Sequence, residues 1–173
     1  MDDIEAIKQL KARYFRALDS KDWQAYGDVF AEDCVVDLSR AGGEIIHGRE
    51  NFRAYGSSLT IVQSVHHGHM PEIELTGPDS ATGIWVLEDY NLWEDGTQNH
   101  GWGHYVERYV KIDGRWYIRN MALSYLRLEM QCGEPALIAG RDGTAHLRGP
   151  SPATNIWGGD GTTPSAQSGD MRQ

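Results

Sequence analysis

Apolar residues recur at helical spacing from Ile4 to Leu18, through Ile7, Leu10 and Tyr14, and predict an amphipathic first helix. Asp2 and Asp3 stand at its start, where acidic groups meet the positive end of the helix dipole. The polar run Asp19-Ser20-Lys21-Asp22 breaks the stripe and places Asp19 just past the helix end. A second short helix follows, with Trp23, Tyr26 and Phe30 on one side. Residues 33–38 are β-branched and predict a strand that stops at Gly42-Gly43, and residues 48–59 predict a third helix.

From residue 61 the pattern changes to strands. Residues 61–65, 72–75, 82–93, 103–112 and 115–128 are rich in Val, Ile, Tyr and Trp. The breaks between them carry turn chemistry, and Asp95-Gly96 and Asp113-Gly114 are strong hairpin signals. Helices first and a meander afterwards predict an α+β domain over 1–130, its helices packed on one curved antiparallel sheet. Neither a GxGxxG string nor a phosphate-binding loop is present. Residues 131–173 are dense in Gly, Pro, Ser and Thr and predict a tail, disordered or draped over a neighbour.

Composition narrows the class. The 173 residues suit one domain, and no run approaches the ~18 apolar residues of a membrane-spanning helix. The acidic N-terminus lacks the apolar core of a signal peptide, so a cytoplasmic location is expected. A formal charge of −9 disfavours nucleic acid and anionic membranes as partners. Two cysteines, Cys34 and Cys132, make no disulfide framework. The expected partner is a small molecule.

Two ionisable features lie in apolar surroundings: Asp19 and the cluster His66-His67-Gly68-His69. His67 and His69 share a strand face, and with Glu74 they approach the first metal motif of cupins, but the remainder of that motif is missing. The other reading is acid–base chemistry. A histidine nitrogen takes a proton well when a carboxylate holds its opposite N–H, and Asp19 could serve if the first helix crosses the sheet near His66. By residue type alone, a helix-end Asp with a strand His satisfied by backbone is the favoured reading. Tyr14 belongs to the apolar stripe, either packed in the core or aimed into a cavity. Asp89 shares a strand face with Trp85 and Leu87, where desolvation would raise its pKa and suit it to donate a proton. His104, in line with Val106, Arg108 and Val110, could line the same cavity. Arg119 and Arg127 could meet an anionic ligand group, or form surface ion pairs.

Taken together, DIEAIKQLKARYFRALDSKDW, HHGHMPEIE, ATGIWVLEDYNLWEDG and KIDGRWYI resemble the SnoaL-like branch of the nuclear transport factor 2-like superfamily. Within it the chain looks most like the bile-acid 7α-dehydratases, and more distantly like scytalone dehydratases and hexachlorocyclohexane dehydrochlorinases. The resemblance covers about residues 3–130 and implies a cone-shaped α+β barrel. It also implies a homotrimer and a cofactor-free, metal-free active site with catalytic Tyr14, Asp19, His66 and Asp89. Trp85, His104, Arg119 and Arg127 are the expected substrate contacts. The implied activity is elimination of water from a hydrophobic polycyclic alcohol, steroid-like or polyketide-like. The superfamily also holds isomerases, cyclases and non-catalytic carriers of hydrophobic ligands, and these stay open as alternatives.

Overall fold

A computed structural model describes residues 2–132 and three short strands beyond them, β7 (Leu137–Ala139), β8 (Ala145–Leu147) and β9 (Thr154–Asn155). The expected behaviour of the tail lies otherwise outside the described residues. The first helix, α1 (Asp3–Ser20), is capped by the Asp2 carboxylate, which accepts from the Glu5 N–H at 2.8 Å. Its apolar stripe buries Ile7, Leu10, Tyr14 and Leu18 against the sheet. Then come α2 (Trp23–Gly27), β1 (Phe30–Asp37), β2 (Ile45–His47) and α3 (Arg49–Ser58). Four long strands complete the domain: β3 (Ile61–Gly77), β4 (Ser80–Trp93), β5 (Gln98–Ile112) and β6 (Arg115–Gln131).

The sheet runs β2-β1-β6-β5-β4-β3, with β9 beside β6. The fold is α+β as expected, but the sheet is mixed and open rather than wholly antiparallel and closed. β1 lies parallel to β6 because the chain enters it from the helical layer instead of from a hairpin. Register shifts in β1, β3, β5 and β6 bend the sheet around the helices.

Three boundaries differ from the periodicity. Phe30 belongs to β1 rather than the second helix. The segments 61–65 and 72–75 are one continuous strand, β3. Pro71 is tolerated there because β3 is an edge strand and the ladder shifts between His69 and Glu72, with Met70 at φ 39°. Finally, β5 begins at Gln98, so the Asp95-Gly96 turn joins longer arms than predicted.

One polar element crosses the core. Lys11 and Glu107 are both 0% exposed and form an ion pair. The ammonium lies 3.5 Å from the Tyr105 ring centroid and 4.2 Å from that of Tyr14, and the Tyr109 hydroxyl donates to Glu107. Burial pushes the Lys11 pKa down against the pull of Glu107. No described helix is long and apolar enough to cross a membrane.

Candidate active site

Asp19 lies inside the last turn of α1 rather than beyond it. The helix closes at Lys21, which takes a left-handed conformation (φ 60°) and returns its N–H to the carbonyls of Ala17 and Leu18. That placement aims the Asp19 carboxylate at β3. Oδ1 lies 2.7 Å from His66 Nδ1 and accepts from the Ser64 hydroxyl at 2.9 Å. Oδ2 accepts from the His66 backbone N–H at 2.9 Å. Lys21 Nζ in turn donates to Ser64 Oγ at 2.6 Å. Partial burial pushes the Asp19 pKa up, but the hydrogen bonds and charge of His66, with the Ser64 bond, outweigh it and leave the group lowered. An ionised Asp19 can only accept, so the short contact assigns the proton of His66 to Nδ1 and leaves the Nε2 lone pair free.

Nε2 faces a cavity of about 320 Å³. Phe52, Leu59, Ile61, Trp93, Leu128 and Met130 supply its apolar wall, while Tyr14, His66, Asp89, Asn99, Tyr105 and Tyr125 form its polar end. The volume sits near the lower end of the ~300–1,000 Å³ usual for small-molecule sites, and the mix of apolar wall and few polar groups is typical of them.

Asp89 pairs across the ladder with His66, and its Oδ2 is 3.9 Å from His66 Nε2. The Tyr125 hydroxyl donates to Oδ2, and Asn99 Nδ2 lies 3.4 Å from Oδ1. Asp89 is 2% exposed; burial raises its pKa, and Tyr125 and His66 offset only part of the rise. Gly101 makes this meeting possible, because a Cβ there would lie 2.6 Å from Asp89 Oδ1 and strike the Tyr125 ring. Tyr14 is fully inside the polar end. Burial pushes its hydroxyl pKa up, and the neighbouring Tyr105 and Tyr26 hydroxyls offset part of that.

The structure thus brings Tyr14, Asp19, His66 and Asp89 together. It does not bring the four expected substrate contacts to the cavity. Trp85 does face inward but lies beneath the cavity, its Nε1 donating to the Tyr109 hydroxyl at 2.8 Å. His104 is on the outer face with the exposed Val86 and Val106, because the inward parity of β5 belongs to Tyr105, Glu107 and Tyr109. Arg119 pairs with Asp33 on the surface. Arg127 pairs with Glu129 and lies 5.4 Å over the Trp102 ring. Glu74 is likewise displaced from the two histidines by the β3 register shift, and the carboxylate beside them is Glu88.

Tyr125, Asn91 and Asn99 were not evident in the sequence. Asn91 shares strand parity with Asp89, and the Asp95-Gly96 hairpin places Asn99 opposite it. Counting outward from that turn would have found both. The side-chain carbonyl oxygens of Asn91 and Asn99 are buried without a protein donor, and both residues line the cavity.

Comparison with known proteins agrees with this architecture. Residues 1–122 match the family described as SnoaL-like domain. A curated relative, FGR4 of Gibberella zeae, assigned as a cyclase, is 21% identical over 137 residues, covering 69% of this chain and 89% of its own. Among solved structures, a protein of Novosphingobium aromaticivorans assigned as an aromatic ring hydroxylase superposes with TM-score 0.70 at 23% identity, over 76% of this chain and 96% of its own. A second protein of that species, assigned as a scytalone dehydratase, gives 0.65 at 19% identity, over 76% and 91%. A hexachlorocyclohexane dehydrochlorinase, LinA type 2, gives 0.69 at 15% identity, over 76% and 90%. At these identities the structural likenesses establish the fold.

Proposed function

Because the chain belongs to the SnoaL-like family, whose relatives here include proteins assigned as lyases and a cyclase, we propose that it is a cofactor-free dehydratase. Its substrate would be a hydrophobic polycyclic alcohol, steroid-like or polyketide-like, as in the bile-acid 7α-dehydratases it resembles. The observation that carries this reading is the Asp19–His66 pair, held at 2.7 Å with the opposite imidazole nitrogen open to a mostly apolar cavity.

In this reading His66 Nε2 removes a proton from a carbon made acidic by a conjugated carbonyl. The electrons of that C–H bond form the new double bond, and the C–O bond breaks. Asp89, whose pKa burial raises, is the proton donor in this reading and delivers its proton to the leaving oxygen, which departs as water. The proton on Nε2 then returns to the Asp89 carboxylate across 3.9 Å and resets both groups. Tyr14 hydrogen-bonds the substrate oxygen on which charge develops. The apolar wall excludes water and so strengthens each of these interactions.

The test is an absorbance scan with a 7α-hydroxy-3-oxo-4-ene steroid, comparing the native chain with His66→Ala. Loss of water extends the conjugation, so a longer-wavelength band that grows only with the native chain is the expected result. No band with either protein would exclude this substrate class. The similarity to FGR4 favours a cyclase as the second reading, with the same His66 proton transfer closing a carbon–carbon bond and no water lost. A non-catalytic carrier would keep ligand affinity in His66→Ala and yield no product from either protein. The exposed Val65, Ile84, Val86, Val106 and Leu126 support association into the homotrimer the resemblance implies, which sedimentation equilibrium tests.

A further inference from the structure

His66 and His67 point to opposite faces of β3, as strand geometry requires. His67 and His69 therefore share the outer face, behind the cavity, and their ring centroids are 5.8 Å apart. Glu88 stands directly across the ladder from His67. Its Oε2 is 3.8 Å from His69 Nε2, and its Oε1 is 2.9 Å from His100 Nε2 on β5. One ligand atom from each of His67, His69 and Glu88 can be chosen so that all lie within 4.8 Å of one another.

We propose that His67, His69 and Glu88 bind a divalent transition-metal ion, zinc in the first instance, with His100 orienting the carboxylate. Two imidazoles and a carboxylate suit zinc, and three protein ligands leave the fourth tetrahedral position to water. Bonds of about 2.1 Å place tetrahedral ligand atoms about 3.4 Å apart, so the atoms, all within 4.8 Å of one another, need to approach by little more than about 1 Å. His100 Nε2 on one carboxylate oxygen leaves the other for the ion, the second-sphere arrangement that fixes a ligand's orientation.

The site also has a structural consequence. β3 is an edge strand, and among the described residues it pairs only with β4. The His67–Glu88 cross-strand pair adjoins the His66–Asp89 pair, so an ion shared by His67 and Glu88 fastens the register that sets the spacing of His66 and Asp89. Binding depends on this geometry alone and stands whether or not the chain is a dehydratase.

The test uses the full chain without an affinity tag, stripped with chelator and titrated with zinc chloride by calorimetry. The expected result is one zinc per chain with Kd below about 100 µM and a melting temperature that rises with zinc concentration. His69→Ala and Glu88→Gln should each weaken binding at least about tenfold, and His100→Ala by roughly 10–100-fold. His47→Ala, on the distant β2, should leave it unchanged. All four positions are at the surface or half-buried, and a zinc-free melting temperature equal to the native one certifies each fold. Weaker binding in the native chain, equal affinity in His69→Ala and Glu88→Gln, or loss of binding in His66→Ala alone would overturn the assignment, leaving an adventitious ion or the cavity histidine.

Discussion

Asp19→Asn keeps the shape of the side chain and alters one thing: a pure acceptor becomes half donor. The carboxylate takes three hydrogen bonds, from the His66 backbone N–H, the His66 ring and the Ser64 hydroxyl. A backbone N–H can only donate, so the amide oxygen must occupy the Oδ2 position. The amide NH₂ then faces Nδ1, and His66 must shift its proton to Nε2 to accept it. Ser64 Oγ can accept from the amide as it does from Lys21, at the loss of the acceptor for its own proton, and the cavity nitrogen loses its lone pair. The loss expected is the whole general-base contribution, about 10²–10⁴-fold in kcat, or roughly 2.7–5.5 kcal/mol of barrier. Stability should fall by only about 1.5–3 kcal/mol as charge-assisted bonds become neutral ones. Single-turnover absorbance kinetics would read the first quantity and urea denaturation the second. An Asp19→Asn protein that folds normally and keeps more than half the native rate would refute the orienting role.

Four further outcomes follow from the same geometry. The folded pKa of Asp19 is depressed, so its stabilising contribution is present above the unfolded value near 3.8 and is lost as pH falls through the folded value. Urea midpoints measured downward from pH 5 should therefore drop more steeply in the native chain than in Asp19→Asn. Gly101→Ala should separate Asp89 from Tyr125, costing about 1–3 kcal/mol of stability and most of the turnover, both measurable on one sample. Tyr125→Phe should leave the melting temperature within a few degrees but lower kcat, because Asp89 loses the donor that sets its orientation. Lys11→Met strands the Glu107 carboxylate in the core and should destabilise by about 3–5 kcal/mol in chemical denaturation, whereas Lys11→Met with Glu107→Leu recovers most of it.

The central architecture was legible because it is written in local signals. The 3.6-residue stripe of α1 and the Asp113-Gly114 turn, with φ of 49° and 77°, specify their own geometry. Strand parity correctly aimed Asp89 inward, since β4 alternates without interruption through that stretch. Parity failed at the far side of the sheet. The shifts at Trp102/Gly103 and Arg108/Tyr109 reset which side chains face the helices, so neither the facing of Arg127 nor the arrival of Tyr125 beside Asp89 could be counted from the turn. The mixed sheet was equally hidden, because the β1–β6 pairing joins residues at least 85 positions apart. α1 runs two residues beyond the end its apolar stripe predicts and so includes Asp19, since Lys21 rather than a glycine supplies the left-handed cap.

The proposed base, His66, and the carboxylate that orients it, Asp19, stand 47 residues apart, one on a strand and one on a helix. No fragment of the chain holds both, and neither α1 nor β3 alone has a reason to place a proton on Nδ1. Activity is therefore a report on docking. α1 is fastened to the sheet along its length, by Asp3 to Lys111 and Trp116 at its start, Lys11 to Glu107 midway, and Asp19 to His66 at its end. If the chain is the dehydratase proposed above, release of the last turn alone would stop turnover while the other two attachments persist. On a denaturant ramp turnover would vanish ahead of the far-ultraviolet signal, and the interval between the two measures how locally the chemistry is held.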